Sequence, residues 1–122
     1  MEKPVGKKNQ PDSEMLKGTL DMMILRTLIG GDAHGHTIAK VIEHTSEDLL
    51  EVEQGSLYPA LQRLLKARLV KAEWGVSSTN RRVRTYQITP AGLRHLEQEI
   101  SSFERMFEGI ALVLNPGKAP AN

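Results

Sequence analysis

Behind Asp12 and Ser13, both residue types that cap helices, the apolar positions Leu16, Leu20, Met23, Ile24 and Ile29 recur at helical spacing until Gly30 and Gly31 stop the run. A first helix is therefore expected over residues 13–29. After a turn over residues 32–35, Ile38, Ala39 and Ile42 mark a shorter second helix, which ends near His44, where an imidazole suits the helix dipole. Leu50 and Val52 alternate with acidic residues, as a short strand does. A third helix is expected to start around residues 55–59, because a proline is tolerated in a first turn whose N–H groups have no intrahelical partner, and to end near Arg68. Leu57, Leu61, Leu64 and Leu65 make its apolar face, and Gln62, Arg63 and Lys66 point away from it.

Val70, Ala72, Trp74 and Val76 then alternate with polar residues, the turn-rich stretch SSTN intervenes, and Arg82, Arg84, Tyr86 and Ile88 alternate again. This is a hairpin whose register can be inferred. Its apolar faces coincide only if Val70 opposes Ile88, Ala72 opposes Tyr86 and Trp74 opposes Arg84, which leaves residues 77–81 as the tip. Thr89 followed by Pro90 is a cap with proline at the first helical position. Leu93, Leu96, Ile100, Phe103, Phe107, Ile110 and Leu114 follow at alternating spacings of three and four, the seam by which a long helix pairs. The order helix, helix, short strand, helix, hairpin, long helix is that of a mostly helical α+β fold.

Length and composition narrow the function. A chain of 122 residues builds one core and no second domain. Residues 1–12, with three lysines and two prolines, are expected to be a flexible basic arm, and 116–122 a disordered tail; 13–88 are expected to form the folded body and 89–115 a long helix that pairs. Without cysteine there is neither a disulfide framework nor a thiol nucleophile, which fits the cytoplasm. Neither a signal peptide nor a membrane span is expected. His34, His36 and His44 lack a nearby Cys or a convergent carboxylate, and Ser77, Ser78 and Thr79 match no nucleophile motif, so no metal, cofactor or catalytic role is expected.

The formal net charge of +1 by itself indicates no partner, but the charge is segregated. Glu43, Glu47, Asp48, Glu51 and Glu53 form an acidic stretch without Lys or Arg. From residue 63 to residue 84 the order reverses: Arg63, Lys66, Arg68, Lys71, Arg81, Arg82 and Arg84 face the single carboxylate of Glu73. A cationic helix beside a cationic hairpin is the footprint of a phosphate-backbone binder. In the first turn of the third helix, Gln54, Ser56 and Tyr58 carry groups able to reach base edges or phosphates, while Arg63 and Lys66 are placed to grip phosphate. At the hairpin tip Arg81 and Arg82 suit a narrow, electronegative minor groove. Arg84 has two candidate roles, DNA contact or cation–π stacking on Trp74.

Three stretches, AHGHTIAKVI, VEQGSLYPALQRLLKARLVKAEW and NRRVRTYQITPAGLRHL, resemble the PadR family of transcriptional regulators. The opening KGTLDMMIL and the wing SSTNRR resemble its acidobacterial-type branch most. The resemblance implies a winged helix-turn-helix fold and a homodimer in which the last helix pairs with the partner's first helix. It also implies operator binding and repression relieved by a ligand. Two departures stand out. His36 occupies a position where the family commonly has tyrosine, and the single tryptophan, Trp74, is not on the last helix, where drug-sensing members stack planar ligands. The effector, if there is one, is therefore not indicated.

The last helix argues for pairing without help from the family. Glu97, Glu99 and Glu104 flank its seam, so two copies laid side by side repel, whereas Lys17 and Arg26 of the first helix complement them. A two-fold dimer through Leu20, Ile24, Leu93, Leu96, Ile100, Phe103, Phe107, Ile110 and Leu114 is expected, with a pseudo-palindromic duplex as partner. The competing expectation is a protein–protein interaction module that uses the same basic face and binds no duplex.

Overall fold

The computed structural model describes residues 13–118, so the expected basic arm lies outside the described residues. The chain runs α1 (Ser13–Ile29), β1 (Ala33–His34), α2 (Gly35–Thr45), α3 (Gln54–Lys66), β2 (Val70–Val76), β3 (Arg82–Ile88) and α4 (Pro90–Leu114). Three antiparallel strands in the order β1-β3-β2 form the sheet, and the three helices before the hairpin stack beside it. This is the mostly helical α+β arrangement of a winged helix.

The core is where the four helical stripes meet the inner face of the sheet. Ile24, Leu25 and Leu28 of α1, Ile38 and Ile42 of α2, and Leu57, Ala60, Leu61 and Leu64 of α3 close around Val70, Tyr86 and Leu96, all at most 5% exposed. Burying a Leu or Ile side chain stabilises by about 1.5–3 kcal/mol, so this cluster holds the three-helix body together.

The hairpin register is the one its alternation demands: Val70 opposes Ile88, Ala72 opposes Tyr86, and Trp74 opposes Arg84. The strand expected at Leu50 and Val52 is absent, and the third strand lies instead at Ala33–His34, within the expected turn, paired to Tyr86 and Thr85. Residues 46–53 satisfy their backbone locally. The Asp48 N–H donates to the Glu43 carbonyl (2.8 Å), that of Leu50 to Ser46 Oγ (3.2 Å) and that of Val52 to Glu43 Oε2 (2.9 Å). With these donors committed and Glu47 and Asp48 in the left-handed region, no free strand edge remains.

The third helix begins at Gln54, so Pro59 falls in its second turn rather than its first. The N–H that proline lacks would have met the carbonyl of Gly55, which is exposed to solvent. At the other end Arg68 takes a left-handed conformation (φ 63°), and the N–H groups of Arg68 and Leu69 return to the carbonyls of Leu65 and Leu64. This is the helix exit that usually carries glycine. Gly31, at φ 146°, performs the corresponding reversal after α1.

The wing and α4 are joined through Thr89. Its Oγ1 accepts from the Gly92 N–H (3.0 Å), and its single proton is shared between the carbonyls of Arg68 (2.9 Å) and Leu69 (3.0 Å). Gly92 has to be glycine here, because a Cβ would overlap the Leu69 carbonyl oxygen and press on Ile88. Past Asn115 the expected tail opens with a 3-10 turn, Pro116–Lys118, and residues 119–122 lie outside the described residues. Among the described residues no helix is long and apolar enough to cross a membrane.

Candidate nucleic-acid interface

The N-terminal half of α3 presents Gln54, Ser56 and Tyr58 to solvent because Leu57, Ala60 and Leu61 take up the opposite, buried stripe. Tyr58 is 43% exposed but not loose. Its ring and hydroxyl lie against Gly35 at the start of α2, where a Cβ would sit 2.9 Å from both Cε1 and Oη. The glycine thus leaves room for the tyrosine to lean across the junction of the two helices.

Further along α3, Lys66 is exposed, whereas Arg63 is already engaged. Its Nη2 donates to Asp21 Oδ1 at 2.7 Å and its Nε to Oδ2 at 3.4 Å, a two-pronged pair that ties α3 to α1. Asp21 was not foreseen. The two residues stand 42 apart in the chain, and nothing in the local pattern of either marks the other.

In the wing, the Ser77 N–H donates to the Arg81 carbonyl (2.8 Å), the Asn80 N–H to the Ser77 carbonyl (2.9 Å) and the Arg81 N–H to Ser77 Oγ (3.2 Å), with Asn80 left-handed at φ 62°. These bonds close the tip and leave the Arg81 side chain projecting into water. Arg82 folds back, its guanidinium carbon 4.4 Å from the centre of the Trp74 ring. Arg84 lies between two rings, 5.6 Å from Trp74 and 5.9 Å from Tyr86. The stacking role expected of Arg84 alone is therefore shared, with Arg82 the nearer. Both arginines follow from the alternation of β3, which puts residues 82, 84 and 86 on one face.

Between α3 and the wing lies an open cleft of about 510 Å³ lined by Gln62, Arg63, Leu65, Lys66 and Arg84. A second cleft, about 390 Å³, runs between α1 and α4 past Gly18, Thr19, Met22, Glu99, Ser102, Phe103 and Met106. Of the residues expected at a pairing surface, Ile24 and Leu96 lie in the protomer's own core, and Leu20 and Ile100 are half-buried against it. Leu93, Phe103, Phe107, Ile110 and Leu114 are exposed, with the rings of Phe103 and Phe107 stacked at 6.3 Å. Among the described residues no three His, Cys, Asp or Glu side chains converge on a point where a metal ion could sit.

Comparison with known proteins agrees with this geometry. Residues 24–98 match the model of the transcriptional regulator PadR-like family. The structure of a transcriptional regulator from Clostridium thermocellum superposes with a TM-score of 0.73 at 32% identity, covering 80% of this chain and 95% of that one. A PadR-like transcriptional regulator from Bacillus cereus superposes with a TM-score of 0.67 at 27% identity, covering 84% and 97%. Protein X of Lysinibacillus sphaericus is 28% identical over 84% of this chain and 94% of its own length.

Proposed function

Because the chain belongs to the PadR-like family of DNA-binding transcriptional regulators, we propose that it works as a dimeric, sequence-specific repressor, with α3 in the major groove of its operator and the wing in the neighbouring minor groove. One observation carries this reading: α3 and the cationic wing stand on either side of a single open cleft, lined by Gln62, Arg63, Leu65 and Lys66 from the C-terminal half of α3 and by Arg84 from the wing, so that a duplex lying against it would meet both elements. The major groove is about 12 Å wide and admits a helix, whereas the narrower minor groove takes guanidinium groups. Gln54, Ser56 and Tyr58 then read base edges, Lys66 serves the backbone with Arg63, held on Asp21, adding its charge alongside, and Arg81 reaches deepest at the wing tip, followed by Arg82. Assignment to the acidobacterial-type branch is supported by the KGTLDMMIL and SSTNRR segments.

The dimer rests on the uncovered apolar residues of α4. Phe107, Ile110, Val113 and Leu114 are too exposed for a helix that stands alone in water, and a partner's α1 and α4 would cover them. Two-fold symmetry then calls for pseudo-palindromic half-sites about one helical turn apart, roughly 10 base pairs, or a multiple of that.

Selection of duplexes from a random pool, followed by anisotropy titrations over a range of salt concentrations, tests the proposal. Binding is expected to weaken log-linearly with salt, with a slope of about −0.9 per phosphate neutralised. Reversing the charge of Arg81 and Arg82 weakens binding to every sequence, whereas substituting Ser56 or Tyr58 also changes which sequence is preferred. Tight duplex binding by the arginine variants at moderate salt overturns the wing assignment. Failure of the wild type to bind any duplex, with capture of an acidic protein instead, favours the interaction-module reading.

A further inference from the structure

Arg84 does not have the setting of a solvated surface arginine. Its Nε is buried and donates to no acceptor, and its guanidinium is flanked by the rings of Trp74 and Tyr86. Among the described residues no carboxylate pairs with Arg84 or with Lys66, which lines the same cleft. The third cation there, Arg63, has both prongs committed to Asp21. A partly desolvated charge with unspent donors is unfavourable unless an acceptor arrives to pair it, and here the protomer supplies none. The cleft holds two available cations, one neutral donor in Gln62 and an apolar floor in Leu65.

A duplex that places one groove on α3 and the next on the wing must carry a sugar-phosphate strand between them. That strand has to cross the cleft. We infer that the α3–wing cleft is a phosphodiester site, in which Arg84 and Lys66 hold one phosphate of the strand separating the two grooves and Gln62 donates to it. The inference rests on the proposed DNA reading and adds to it a separate part for Arg84. Trp74 and Tyr86, with ring centres 5.6 Å and 5.9 Å from the guanidinium carbon, restrict the side chain at the cleft, so that less freedom is lost when the phosphate arrives. Arg84 is thereby a backbone anchor and not a reader of the minor groove, which is left to the tip.

The test uses the full chain and a duplex selected from a random pool, into which single uncharged methylphosphonate linkages are introduced one position at a time. Wild-type protein is expected to lose affinity by roughly tenfold or more at one linkage per half-site, the loss of a hydrogen bond between charged groups. Arg84→Gln is expected to be indifferent to that one substitution and sensitive to the others. Its salt slope falls by about 0.9 per half-site, and its preferred sequence in a fresh selection is unchanged. Lys66→Gln, at an exposed position that the fold does not need, reproduces the effect, and Arg84→Lys restores the slope. If Arg84→Gln lowers affinity but leaves the slope and the methylphosphonate profile as in wild type, Arg84 only braces the wing and the site is refuted. A wild type that binds no duplex overturns the DNA reading itself, and the phosphate site with it.

Discussion

In the body of the protomer, Leu57, Leu61 and Leu64 are at most 2% exposed, whereas Phe107, Ile110, Val113 and Leu114 at the far end of α4 are between 42% and 77% exposed. Both groups repeat at helical spacing and both consist of large apolar side chains. They differ in what the chain places opposite them: α1, α2 and the sheet in the first case, water in the second. A period of three and four thus records that a face is to be covered and does not say by which molecule. The body completes its core alone, whereas the end of α4 stays uncovered in the protomer and is covered in the proposed dimer.

Substitutions on the two sides of this divide should behave differently. Leu61→Ala leaves a cavity at the centre of the body and is expected to cost about 2–5 kcal/mol, read from urea unfolding, at every protein concentration. Gly92→Ala forces a methyl group against the Leu69 carbonyl, a backbone atom that cannot swing away, and a loss of about 1–3 kcal/mol is expected in the same assay. Thr89→Ala removes the cap of α4 and the side-chain tie to the turn between α3 and β2, for about 1 kcal/mol. Phe107→Ala is expected to change the unfolding free energy of the dilute protomer by no more than about 0.5 kcal/mol. It should nonetheless weaken association, seen by sedimentation, and remove the concentration dependence of the melting temperature. If Phe107→Ala destabilises the dilute protomer as much as Leu61→Ala does, the contrast fails.

Much of the fold was legible because independent signals agreed. The register of β2 on β3 followed from two alternating runs that coincide in only one way, and the start of α4 from a cap residue and a proline side by side. The errors have physical causes. Leu50 and Val52 alternate with acids, but their N–H groups are claimed by Ser46 and Glu43, whereas the two residues of β1 have no pattern of their own and are held in the sheet by Tyr86 and Thr85. Within the site, the exposure of Gln54, Ser56 and Tyr58 followed from the leucine stripe behind them. The engagement of Arg63 by Asp21 and the sharing of Trp74 between Arg82 and Arg84 depend on side chains meeting across elements, which spacing along the chain does not encode.

The knot of hydrogen bonds around Thr89 has a mechanical corollary. With the root of the hairpin lashed to the first turn of α4, the long helix cannot swivel without dragging the wing along, so it acts as the handle of a pair of calipers whose jaws are the two reading heads of the proposed pair. Inserting one residue midway along α4 would rotate everything beyond it by about 100° about the helix axis. The jaws would then no longer face the same side of a duplex, although every residue proposed to touch DNA would be intact.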